Sequence, residues 1–385
     1  MPHSYVRTGR AALFIISLAL TQLPAFGQKR GPVRWVKRVV GTFVNDTLPP
    51  DKPRFLIYPT LVYAPETSFE FGLSSLFLYH AKNNVAENRL SEIVMLGFFT
   101  LKQQYGFAID NNLYSDQDRW FFLGRSRFQR FPLLYYGIGP NTPGQGPATI
   151  DATYLQIRQR ALRKIISNLF VGPEIDFQRL SSAQFRQPEG PPLLVPPGGA
   201  GTSNLGFGVG LVFDNRHNPL NVREGLFSEI AVLKYSQRWG SGFNFVNIVL
   251  DTRLYRPVGK QVVALQAYGN FVAGEAPFNQ LALLGGDMLM RGYYQGRYRD
   301  RNYLAAQAEY RFLPFPFSKR IGGAAFVAAG TVAPRLGAFN FNDVKPSGGI
   351  GLRYLLFPKK DIFLRFDLGI TREGTGFYIY TGEAF

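Results

Sequence analysis

The sequence predicts an all-β protein, a transmembrane antiparallel β-barrel of about sixteen strands, and three observations carry that reading. The first is composition. Aromatic residues make up 15% of the 385 residues, with 35 Phe, 20 Tyr and 41 Gly, yet mean hydropathy is near zero. A soluble domain this rich in aromatics would need blocks of apolar sequence, whereas a barrel wall averages lipid-facing apolar residues with lumen-facing polar ones. The second is a period of two. In "DIFLRFDLGI", Ile362, Leu364, Phe366, Leu368 and Ile370 share one face and Phe363, Arg365 and Asp367 the other. Residues 303–312 and 246–254 divide in the same way, with Glu309, Arg311, Asp251 and Arg253 on the polar faces.

The third observation is an export signal. Arg7 and Arg10 precede the apolar run "AALFIISLAL", and Ala25 and Gly27 stand just before Gln28. That is the pattern of a secretory signal over residues 1–27, and the run is shorter than the roughly 20 apolar residues that span a bilayer. Residues 28–53 follow as a basic periplasmic segment. In it Val36, Val39, Val40 and Phe43 could share one face of a short surface helix, or the segment is a plain linker. The barrel occupies 54–385.

Taken in order, strands are expected near 54–63, 68–80, 90–101, 103–115, 118–130, 151–161, 165–180, 205–213, 226–238, 242–256, 260–272, 302–313, 320–332, 346–357, 361–371 and 376–385. Sixteen is an even number, as bacterial barrels require, and connections on the outer face should be the longer set. The three longest, 131–150, 181–204 and 273–301, do follow odd-numbered strands 5, 7 and 11. Even-numbered connections such as "RPVGK" and "FPKKD" are tight.

The chain has no cysteine, so it has neither a disulfide framework nor a lipid-bearing cysteine. Without the two signal arginines, 41 basic residues stand against 26 acidic ones, a charge of +15. Outer-membrane lipid and lipopolysaccharide phosphates are the natural counterions, and no nucleic-acid motif accompanies the charge. Neither a cofactor nor a metal is expected. Beyond the signal the only histidines are His80 and His217, both near periplasmic turns, and there is no nucleophile elbow or ligand cluster. An enzyme is therefore not expected.

The stretch "LLGGDMLMRGYYQGRYRDRNY" is too long and too rich in Gly and Arg for a tight turn. A loop folded back into the lumen would explain it, with Gly285, Gly286 and Gly292 letting backbone pass close to the wall. Arg291 would then meet an inward carboxylate, with Asp367, Glu309 and Asp251 as candidates. Arg297, Arg299 and Arg301 read as a solvated basic surface facing lipopolysaccharide phosphates.

These residues resemble the outer-membrane assembly barrels of the BamA/TamA type, the bacterial surface antigen family. The family's Arg-Gly-aromatic triplet, here Arg291, Gly292 and Tyr293, stands in the loop between the eleventh and twelfth strands. "YYGIGPNTP" is similar to the third outer loop, and "FDNRHNPLNVREG" to a periplasmic turn with Asp214, Arg216, Pro219 and Gly225 in place. "GGIGLRY" and the terminal "GFYIYTGEAF" look like the closing strands, with Phe377, Tyr380 and Phe385 as an assembly signal. Two departures stand out. Where the family carries an Asp in a Phe-x-Asp-x-Gly strand, "FVAAG" has Ala328. The client-docking POTRA modules are also missing, since the roughly 25 residues before the first strand are fewer than the ~40 an independent domain needs.

The resemblance implies a barrel in the bacterial outer membrane that inserts, translocates or scaffolds other envelope proteins. Weak pairing between first and last strands would supply an edge for an incoming strand, and Pro59 suits such an edge. The alternative is a passive pore or structural surface barrel plugged by its long loop.

Overall fold

In the computed structural model, residues 52–64, 68–101, 103–144, 146–187 and 193–385 are described. The expected signal and nearly all of segment 28–53 lie outside them. The described chain is built of strands: β1 Arg54–Ala64, β2 Ser68–His80, β3 Leu90–Thr100, β4 Tyr105–Tyr114, β5 Trp120–Tyr135, β6 Ala148–Ile166, β7 Leu169–Arg186, β8 Thr202–Asp214 and β9 Gly225–Tyr235. There follow β10 Phe245–Val258, β11 Gln261–Gly274, the short β12 Ala282–Leu284 and β13 Tyr298–Asp300, β14 Asn302–Phe312, β15 Ile321–Ala333, β16 Lys345–Phe357, β17 Ile362–Ile370 and β18 Thr375–Thr381. Sixteen of these form one antiparallel sheet in sequence order, and β12 and β13 pair with each other inside the loop that joins β11 to β14.

The sheet curls until its first and last strands meet, with the Tyr58 hydroxyl 2.8 Å from Thr381 Oγ1. Alternation sorts the side chains. On β15, Val327 is 64% exposed and points outward, while its neighbours Phe326 and Ala328 are buried inside. Phe55, Ile57, Phe207, Val209, Ile350 and Ile370 likewise face out, giving a surface far too apolar for water and suited to acyl chains. No described helix is long and apolar enough to cross a membrane, so crossing falls to the strands.

The largest departures from the expected strand ends lie in two places. β5, β6 and β7 continue well past the predicted ends, because Phe131–Tyr135 keep pairing with Ala148–Ala152 above the wall. The stretch read as outer loop is partly a raised hairpin. At the other end, β18 stops at Thr381, and Gly382–Phe385 leave the sheet. Gly382 N–H donates to the Phe363 carbonyl and Glu383 N–H to the Leu220 carbonyl, which turns the last residues into the lumen. Expectation had carried the strand to 385.

The faces can be tested directly. Val327→Arg should cost about 2–4 kcal/mol of stability in lipid vesicles, as arginine does near a bilayer midplane. Val327→Leu should be neutral. Denaturant titration of the vesicle-embedded protein measures both, and tolerance of arginine would put that face in water.

Candidate functional site

The lumen next to β14–β18 holds seven fully buried charged side chains. Period-two spacing puts Glu309 and Arg311 on the inner face of β14, Arg353 on β16, and Arg365 and Asp367 on β17. Glu383 enters from the inturned tail, and Arg291 from the loop. Arg291 donates through one terminal nitrogen to Asp367 and through the other to Glu309 at 2.6 Å. Arg353 bridges Asp367 at 2.6 Å and Glu383 at 2.9 Å, and Arg311 meets Glu309 at 2.8 Å. Arg365 reaches Asp367 at 3.2 Å. Four guanidiniums thus share three carboxylates away from solvent, where charges persist only if paired and hydrogen-bonded.

Aromatic rings face two of these guanidiniums. The Arg291 guanidinium lies 3.4 Å from the centroid of Phe326, the first residue of "FVAAG", and Arg365 lies 5.2 Å from that of Tyr380. Ala328 packs against Met290 and Tyr293 in the apolar cluster beside the charges. Where the resembled pattern has an aspartate on β15, this chain has a π-face one pleat away, with Asp367 and Glu309 supplying the negative charge.

The Arg-Gly-Tyr triplet grips the wall through its backbone as well. Gly292 N–H donates to the Tyr378 hydroxyl at 2.9 Å, Ser347 Oγ donates to the Arg291 carbonyl at 2.9 Å, and the Tyr293 hydroxyl donates to the Pro346 carbonyl. The loop crosses β17 at Gly369, where a Cβ would stand 2.7 Å from the Arg291 carbonyl carbon. Gly292 itself has φ +103°, which suits only glycine. Gly351 leaves the space that the Asp367 carboxylate and Arg353 guanidinium fill.

Two of the three arginines read as solvated are buried. Arg297 forms a bidentate pair with Glu373 of the β17–β18 turn, at 2.5 and 2.9 Å, and donates to Thr142 Oγ1 at 2.8 Å. Arg299 donates to the carbonyls of Leu134, Gly296 and Phe278, among the rings of Tyr135 and Phe278. Burial pulls its pKa down to about 10, so it keeps its charge at neutral pH. Arg301 alone of the three is exposed. The expectation failed because composition shows charge but not the raised β5–β6 hairpin that covers it. Gly139, in the similar outer-loop segment, pairs with Arg299 through its backbone, so that segment and the triplet loop form one cap.

Asp251, the third candidate for Arg291, lies elsewhere. It accepts from Arg253 at 2.6 Å and Gln266 at 2.8 Å. In the periplasmic turn, Arg216 pairs with both Asp214 oxygens, at 2.9 and 3.0 Å, and stacks 4.3 Å from the Phe227 centroid. Gly225 has φ +127° with Asn215 Oδ1 packed against it, and Pro219 is half-buried in the same turn. This turn reaches across the periplasmic mouth: Asn218 and Asn221 donate to the Lys360 and Asp361 carbonyls, and Arg223 pairs with Asp361. The three terminal aromatics have different surroundings. Phe377 is 57% exposed on the lipid side, Tyr380 covers Arg365, and Phe385 is buried beside Tyr255 and Arg311.

Sequence reasoning missed Glu383 and Glu373, which sit outside any alternating strand, and gave no role to Arg311 and Arg353. The signal for Arg311 was there, since it belongs to a face already marked as polar, whereas no face had been assigned on the strand of Arg353. Among the described residues no group of three or more His, Asp or Glu could hold a metal.

A family model described as the Omp85 superfamily domain matches residues 180–385. Among solved structures, the chain is similar to BamA from Haemophilus ducreyi lacking POTRA domains 1–3. Identity is 13%, the match covers 86% of this chain and 69% of that one, and the TM-score is 0.53. OpdQ from Pseudomonas aeruginosa also matches at 13% identity over 86% of this chain and 97% of its own, but its TM-score of 0.30 carries no weight. No curated protein matches.

Arg291→Ala leaves Asp367 and Glu309 short of a partner and should destabilise the barrel by about 3–5 kcal/mol, as loss of one member of a buried pair does. Arg291→Lys should recover part of this, lacking the planar fork. Both shifts read out as earlier loss of the compact band on unheated gels and a lower denaturant midpoint. An unchanged profile for Arg291→Ala would remove the loop from the stability of the wall.

Proposed function

The chain belongs to the Omp85 superfamily and forms an outer-membrane β-barrel, and from that premise we propose that it assists insertion, translocation or scaffolding of other envelope proteins at the junction of β1 and β18. One observation carries the proposal. β18 is the shortest wall strand, seven residues, and among the described residues it meets β1 through the Tyr58 and Thr381 side chains. Pro59, at the middle of β1, removes a ladder donor there. A short strand meeting an edge that lacks a donor is a weak joint, and an incoming strand can pair where a weak joint parts.

The rest of the barrel supports this. The loop is clamped to β14–β18 by buried charge, so the wall beside the junction is stiff while the junction itself is light. The proposal includes removal of residues 1–27 on export and contact of the outer cap with lipopolysaccharide. It assigns no chemical reaction to the barrel.

The test uses proteoliposomes holding the full mature chain and a urea-unfolded β-barrel client. Insertion, read as protection from protease, should run several-fold faster than into empty vesicles. The chain has no cysteine, so Tyr58→Cys with Thr381→Cys can be joined by a short bismaleimide, and joining should abolish the acceleration. Equal insertion with the junction locked would overturn the proposal. A large steady conductance of the unmodified barrel with no acceleration would favour the plugged pore.

A further inference from the structure

The turn 313–320 carries an aromatic column that the barrel's own packing does not use up. Tyr310 and Phe312 stand on the outer face of β14, with ring centroids 4.7 Å apart. Phe315, beyond the strand end, lies 5.7 Å from Phe312, and Phe317 stacks on Phe315 at 5.1 Å. Phe315 covers the outer side of Gly323, where a Cβ would come within 2.7 Å of its ring. The column therefore continues the lipid-facing stripe past the end of the wall, and Phe317 at its tip is 83% exposed. A phenylalanine that open to water is unfavourable; at the boundary of headgroups and acyl chains it is at home.

Charge at the same rim points to one ligand. Residues 256–260 and 313–320, at the ends of β10 and β14, carry Arg256 and the exposed Lys260 and Lys319 and hold no acid. The turns are adjacent. Leu355 N–H donates to the Arg320 carbonyl at 2.7 Å, and one Arg223 nitrogen donates to both the Lys260 and the Leu313 carbonyl. Arg256 is level with Tyr310 through Val263. On the opposite half of the rim, cations meet acids of neighbouring turns, Lys82 with Asp116 and Arg89 with Asp118. Beside the aromatic column, Lys260 and Lys319 have no acid within their own connections. These are the short connections, which lie on the periplasmic side.

We propose that this rim is a binding platform for anionic phospholipid of the periplasmic leaflet, with Phe315 and Phe317 lodged at the acyl boundary and the exposed Lys260 and Lys319 on the headgroup phosphates. Cations near an anionic membrane surface attract its lipids individually and additively. Aromatic rings fix the depth at which they do so.

The full chain carrying Phe317→Trp, in vesicles of phosphatidylethanolamine with a minor fraction of phosphatidylglycerol, tests this. Bromine is placed on the acyl chains of one lipid or the other, and the signal of the parent chain is subtracted to remove Trp35, Trp120 and Trp239. Per molecule, brominated phosphatidylglycerol should quench the fluorescence of the introduced indole at least about twofold more than brominated phosphatidylethanolamine. Lys260→Gln with Lys319→Gln should abolish that preference while leaving quenching by phosphatidylethanolamine and the compact gel band intact. Equal quenching by both lipids would overturn the proposal, and so would loss of the preference on adding inorganic phosphate. Absence of quenching would also overturn it, placing the turn in water where a protein partner could meet it.

Discussion

Everything in the C-terminal half of the barrel is arranged around one constraint: a fully buried loop guanidinium has carboxylates on two sides. Arg291 finds them on β14 and β17, which are not neighbours in the sheet, so the pair Glu309 and Asp367 can serve it only if the wall has its native curvature. Such a cluster does little for net stability compared with an apolar filling, because desolvation cancels most of the attraction. It does impose specificity, since a strand out of register by one residue would swing its carboxylate into lipid. The small residues follow from the same constraint. Gly351 makes way for the ions and Gly369 for the loop backbone, so the glycine content that first suggested a barrel is in part the space these charges need.

Much of this was legible in the sequence. Period-two alternation marked the inner faces of β10, β14 and β17, and those faces point inward in the structure. It identified Glu309 and Asp367 but equally Asp251, because alternation fixes the face of a residue and not its height or its position around the wall. Asp251 sits on β10, four wall strands before β16, and has its own arginine two residues on. Strand ends were legible only where Gly, Pro or charge broke the pattern, so β2 was placed well while β5–β7 were cut short. The end of β18 was missed because the terminal Phe385 suggested a strand running to the last residue, while Glu383, which would break its apolar face, pairs instead with buried arginines.

The basic character of the chain divides into parts with different physics. Arg291, Arg311, Arg353 and Arg365 are internal and paired with carboxylates. Arg297 and Arg299 hold the outer cap together through Glu373, Thr142 and backbone carbonyls. Net charge read from composition treats all of these as surface, which is why it overstated the basic face presented outward.

The grip of the triplet on Tyr378 gives the barrel a handed joint. With Gly292 bound to β18, Arg365 under Tyr380 and Glu373 held by Arg297, the last strand is fastened at several heights to the cap and the ion cluster. It behaves as a door jamb. Any parting between the two ends of the sheet then has to be a swing of the N-terminal hairpin, β1 with β2, away from a fixed post.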